Sequence, residues 1–84
     1  MNAPCYRLTL LYNGTRRFYQ RYHAAGAKGT PERAGDLAQY LTDLHDACWI
    51  PQPKETVRCT IRIGSITRRF DHLPTATDLL QAKL

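Results

Sequence analysis

The sequence predicts an α+β fold: a two-layer sandwich in which a four-stranded, mainly antiparallel sheet carries both of two helices on a single face. Three observations predict it. Segments 5–12 and 56–63 alternate between apolar and polar residues, the period of a half-buried strand. Between residues 34 and 48 apolar side chains recur at intervals of three and four, the period of an amphipathic helix. Two turn signals, Asn13-Gly14 and Gly64-Ser65, each follow one alternating segment and lead into another β-rich stretch. The resulting order is ββαββα.

The first strand covers residues 5–12, with Tyr6, Leu8, Leu10 and Tyr12 on one face and Arg7 and Thr9 on the other. Asn13-Gly14 turns the chain because both residues tolerate positive φ. A second, aromatic-rich strand follows from Thr15 to about His23. Residues 24–30 contain Gly26 and Gly29 and read as a loop. Thr30-Pro31 opens a helix, with Thr30 as N-cap and Pro31 at the first helical position. Its buried stripe is Ala34, Leu37, Ala38, Leu41, Leu44, His45 and Cys48, and Pro51 and Pro53 end it. The third strand, 56–63, points Val57, Cys59, Ile61 and Ile63 inward. The fourth runs from Ile66 to about Asp71. Thr75 and Asp78 form a capping pair for a short last helix reaching towards Leu84.

The two halves, about 5–50 and 56–84, resemble each other. Thr15-Arg16-Arg17-Phe18 recurs as Thr67-Arg68-Arg69-Phe70, Arg7-x-Thr9 as Arg58-x-Thr60, and Asp36-Leu37-Ala38-Gln39 as Asp78-Leu79-Leu80-Gln81. The matches keep their order, which predicts an internal ββα repeat with Phe18 overlying Phe70.

A length of 84 residues and a mass of 9.6 kDa allow one domain, 1–84. Hydrophobic residues make up 43% and charged residues 23%, the balance of a globular chain rather than a disordered one. No apolar run reaches the roughly 18 residues of a membrane helix. Met1-Asn2-Ala3-Pro4 lacks the basic start and apolar core of a signal peptide. Three widely spaced cysteines, Cys5, Cys48 and Cys59, read as reduced thiols rather than a disulfide framework. A cytoplasmic location is expected.

The formal net charge is +5. Nine of the twelve basic residues are Arg, whose planar fork suits phosphate and carboxylate. Counting by twos puts Arg7, Thr9 and Leu11, then Arg17, Tyr19 and Arg21, then Arg58, Thr60 and Arg62, then Thr67 and Arg69 on the outward sheet face. No acidic residue joins them before Asp71. A merely solvated face would usually mix signs.

Arg7, Arg17, Tyr19, Arg21, Arg58, Arg62 and Arg69 are therefore the candidate residues for a polyanionic partner: nucleic acid, or an acidic protein or nucleoprotein surface. The RNA-recognition fold also reads nucleic acid on an open four-stranded sheet. Its order is βαββαβ, however, with paired aromatics on the central strands, and this chain has neither. Tyr40, off the helix stripe, and Trp49, just after the helix, are a secondary candidate partner surface. The other reading of Trp49 is a plug on the end of the core.

Chemistry beyond binding has little support in the pattern. The loop Gly26-Ala27-Lys28-Gly29-Thr30 departs from the phosphate-loop order. His45 and Cys48, with Cys59 and His72, could in principle form a tetrahedral metal set, but His45, Cys48 and Cys59 fall on predicted core positions, so no metal and no cofactor are expected. Ser65, the only Ser, sits in a turn, and a Cys–His nucleophile pair such as Cys5 with His23 or His72 has no spacing to support it. The expected function is non-enzymatic binding through the Arg-rich face. The alternatives are a phage or mobile-element inhibitor that blocks a bacterial protein complex, as anti-CRISPR proteins do, and a regulatory or toxin–antitoxin-type protein. The oligomeric state stays open.

Overall fold

Period-two alternation becomes strand wherever it is clean, and the helical stripe becomes helix. The computed structural model of the protein describes residues 5–48 and 56–84, without the side chain of Cys48. Its elements are β1 (Cys5–Tyr12), β2 (Arg16–His23), α1 (Pro31–Cys48), β3 (Val57–Ile63), β4 (Ile66–Phe70) and α2 (Ala76–Gln81). The strands form one antiparallel sheet in the order β2-β1-β3-β4, so the two edges are the second strand of each hairpin. This is the expected α+β architecture. Trp49 and the helix stop at Pro51 and Pro53 lie outside the described residues.

The inward positions of the central strands make the core. Tyr6, Leu8, Leu10, Tyr12, Cys59 and Ile61 are fully buried, together with Leu37 and Leu41 of α1 and Leu79 of α2, in one cluster. Both helices therefore cover the same side of the sheet. Each fully buried Leu contributes roughly 1.5–3 kcal/mol of transfer free energy. Leu44, Ile63 and Phe70 are half-buried against this cluster.

The edge strands are more polar even on the inner side, where Gln20 and Arg68 are exposed. Arg16 is half-buried and lays its guanidinium 5.0 Å from the centre of the Tyr12 ring and 5.8 Å from that of Phe18. Inward-pointing charge on an edge strand hinders pairing with a second sheet.

Local signals set the helix ends. The Thr30 hydroxyl accepts from the Arg33 amide at 3.3 Å, with Pro31 in the first turn, as the sequence predicts. Thr75 and Asp78 form a full capping box: Thr75 Oγ1 accepts from the Asp78 amide and Asp78 Oδ2 from the Thr75 amide. α2 stops at Gln81 rather than near Leu84. Lys83 takes a φ of 59°, its amide donates to the Leu80 carbonyl, and the Leu84 amide donates to the Leu79 carbonyl. These are the two bonds of a Schellman stop, and Leu79 and Leu84 are both buried beside it.

One detail of the repeat is corrected. Both hairpins form, but the loop of the first has three residues, Asn13 to Thr15, and that of the second has two, Gly64 and Ser65. Phe18 is the third residue of β2 and lies opposite Leu10, whereas Phe70 is the fifth residue of β4 and lies opposite Cys59. The repeated Arg-Arg-Phe motif keeps its facing and not its distance from the turn, so Phe18 does not overlie Phe70.

Candidate functional site

Alternation along each strand decides which side chains reach the uncovered face, and the ladder registers decide which of them meet. Arg7 lies opposite Arg21 on one side and Arg62 on the other, and Arg62 lies opposite Thr67. Thr9 lies between Tyr19 and Thr60, and Thr60 is followed by Arg69. Leu11 lies between Arg17 and Arg58. The face therefore has three rows across the sheet: Arg21–Arg7–Arg62–Thr67, Tyr19–Thr9–Thr60–Arg69, and Arg17–Leu11–Arg58.

All six candidate arginines are exposed, while Thr9, Leu11 and Thr60 are half-buried and form the floor. Tyr19 is 53% exposed, the most exposed large apolar side chain among the described residues. Successive rows are two residues apart, or roughly 7 Å, so the outer rows are separated by about 13 Å. All seven primary site residues predicted from sequence thus share one surface.

The electrostatics are one-sided. Three guanidinium-bearing residues sit side by side on neighbouring strands in the first row, an arrangement that is destabilising for like charges. Among the described residues none of the six is in ion-pair contact with a carboxylate. Asp71 marks the far corner, where it lines the same depression as Arg58 and Arg69. Tyr19 holds the Arg21 guanidinium above its ordinary pKa, first through a side-chain hydrogen bond and then through charge.

The surface is uneven rather than flat. A depression of about 490 Å³ lies around Leu11, Arg17, Tyr19, Arg58 and Arg69. Another of about 310 Å³ lies over Thr9 and Thr60. A third, of about 400 Å³, is framed by Arg7, Arg21 and Arg62, with Cys5 and Gly64 at its rim. Sequence reading missed these last two residues and the triple-arginine row. The row depends on the β1–β3 register, which pairs Arg7 with a residue far away in sequence, Arg62, and leaves no local signal.

The remaining candidates fall elsewhere. Tyr40 is not a free anchor: it is half-buried, with its ring stacked on Tyr22 at 3.8 Å between centroids and 8° between planes. The Tyr22 hydroxyl donates to Asp36 at 2.8 Å, which raises the Tyr22 pKa. Trp49 lies outside the described residues. Cys5 lies opposite His23 at the end of the β1–β2 ladder, and its thiol contacts the Tyr6 carbonyl oxygen at 3.9 Å. His45 shares a 2.7 Å hydrogen bond with the Tyr12 hydroxyl. His72 pairs with Asp78 at 2.9 Å. Cys59 is core, and burial pushes its thiol pKa up to about 12.

Among the described residues no three His, Cys, Asp or Glu side chains gather as a metal site. No described helix is long and apolar enough to cross a membrane. The face offers forked cationic donors, threonine hydroxyls and one aromatic ring. Together these can bind phosphate and cover a base. No family model matches the chain, and no curated protein or solved structure is significantly similar to it.

Proposed function

We propose that the protein is a small non-enzymatic binding module that grips the phosphate backbone of nucleic acid with the uncovered face of its sheet. One observation carries this reading. Six exposed arginines share that face, and among the described residues none is in ion-pair contact with a carboxylate. A folded protein holds like charges together at a cost to stability, so such a face is expected to meet an anionic partner. Arginine is suited to that partner because its fork bonds two phosphate oxygens at once.

The test is the double substitution Arg58→Glu/Arg62→Glu. Both side chains leave β3 on the outward side and are exposed, so the fold should survive with an unchanged circular dichroism spectrum. Four phosphate contacts give a slope of log K against log salt of roughly −3 to −4. The double variant should bind far more weakly, with a slope flatter by roughly 1.5–2. A folded double variant that binds oligonucleotides as the parent does would overturn the reading. So would a parent that copurifies from its host with one stoichiometric acidic protein and ignores added DNA and RNA.

A further inference from the structure

Resting on the reading above, we infer that the ligand is a single strand of nucleic acid lying along the β-strands, with one base stacked on Tyr19 between two phosphate-binding rows. The register places a phosphate station at each end of the face. Arg21, Arg7 and Arg62 form one, and Arg17 and Arg58 form the other, about 13 Å away. The row between them holds the exposed aromatic ring, flanked along β2 by Arg17 and Arg21 and opposite Thr9. The order phosphate, base, phosphate is that of a nucleic-acid strand, and it runs parallel to β1 and β3.

Tyr19 differs from the other described tyrosines. Tyr6 and Tyr12 are fully buried in the core, and Tyr22 and Tyr40 stack on each other. Tyr19 is half exposed, and it packs against no other ring among the described residues. An exposed ring with an arginine two residues away on each side of it along the strand suits a stacking platform.

A duplex fits this surface poorly. Most groove readers insert a helix, and those that use a sheet lay its strands in the groove. Here both helices lie on the other side of the sheet, and the face presents side chains of regular strands. Stacking also needs an unpaired base, which a duplex keeps inside its own stack.

The experiment measures fluorescence anisotropy with eight-residue oligothymidine, eight-residue oligouridine and a 20-base-pair duplex, using the parent, Tyr19→Ala and Tyr19→Phe. Circular dichroism checks that each variant is folded. The parent should prefer at least one single strand over the duplex at equal phosphate concentration. Tyr19→Ala should weaken that binding roughly 5- to 150-fold, the range for one stacked base, while leaving the salt slope unchanged. Tyr19→Phe should bind like the parent.

Duplex binding equal to single-strand binding, or a Tyr19→Ala variant that binds like the parent, would overturn the inference. In that case the arginine-dependent reading still stands wherever Arg58→Glu/Arg62→Glu weakens binding and flattens its salt slope. A parent that binds none of the three probes overturns both.

Discussion

Arg33 is the one buried charged residue among those described, at 4% exposure. Its Nε donates to the Ala25 carbonyl at 2.9 Å, Nη1 to the Tyr6 hydroxyl at 2.7 Å, and Nη2 to the Gly26 carbonyl. Tyr6 in turn donates to the Leu84 carbonyl. One guanidinium therefore ties α1 to β1, to the loop before α1 and to the chain beyond α2. Gly26 is part of the same arrangement. Its φ is +84°, and a Cβ there would lie 3.0 Å from the Arg33 amide nitrogen. Lysine cannot replace a three-way fork of this kind. Tyr6→Phe keeps the buried ring but leaves the Arg33 nitrogen and the Leu84 oxygen short of a partner. It should cost about 1–3 kcal/mol in urea unfolding, the penalty for stranding buried polar groups. A loss below about 0.5 kcal/mol would show that water replaces the hydroxyl. The sequence held a clue to Arg33, since it lies four residues before Leu37 and so on the buried stripe.

At the scale of elements, α2 depends on its ends. Six residues are too few for a helix to persist on propensity alone, so the capping box and the Schellman stop are what hold Leu79 in the core. Thr75→Ala should cost about 1 kcal/mol at neutral pH. Hydrogen bonds from the Thr75 amide and from His72 hold the Asp78 carboxyl below its usual pKa. The stabilisation from Asp78 is therefore complete above the ordinary carboxylate pKa and is lost as the pH falls through the lowered one. Urea titrations at neutral and acidic pH should show a smaller acid loss in Asp78→Ala than in the parent. Equal losses would remove the box from the acid response. The box was legible in the sequence because its partners are three residues apart, as were Thr30-Pro31, both turns and the facing of every strand. Each of these depends on neighbours within one turn or one pleat. What was not legible depends on distant partners: the strand order and the triple-arginine row. Loop length hid the two-residue shift between Phe18 and Phe70. From the sequence Asn13 is only a turn residue, yet its amide donates to the Thr56 carbonyl and its Oδ1 accepts from the Thr56 amide, both at 2.9 Å. These bonds pin the first hairpin to the start of β3.

Across the whole molecule the sheet separates two tasks. Its covered side supplies cohesion, and its open side concentrates charge. β1 and β3 are matched by their shared Arg-x-Thr, and their ladder puts Thr9 opposite Thr60, so a local two-fold axis through that pair exchanges Arg7 with Arg58. The same operation sets Arg62 against Leu11 and Arg21 against Asp71, so the charge is not symmetric: cations crowd the Arg7 end and thin out towards Asp71. Arg7 has the greatest load, with an arginine directly opposite on each neighbouring strand. Arg7→Thr puts a good strand former on a central strand and removes two like-charge contacts at once. At low ionic strength it should raise Tm by about 1–5 °C. The gain should disappear near 1 M salt, where the screening length falls to about 3 Å. In nucleic-acid binding the same variant should be weaker than the parent, because one station loses its middle cation. Stability and binding would then move in opposite directions at one residue, as expected when charge is kept on a face for a partner rather than for the fold. Differential scanning fluorimetry at low and high salt, beside an anisotropy titration, measures both. A Tm that falls or stays level at low salt would mean that the arginine row is under no strain, and that the side chains splay far enough apart for solvent to carry the charge.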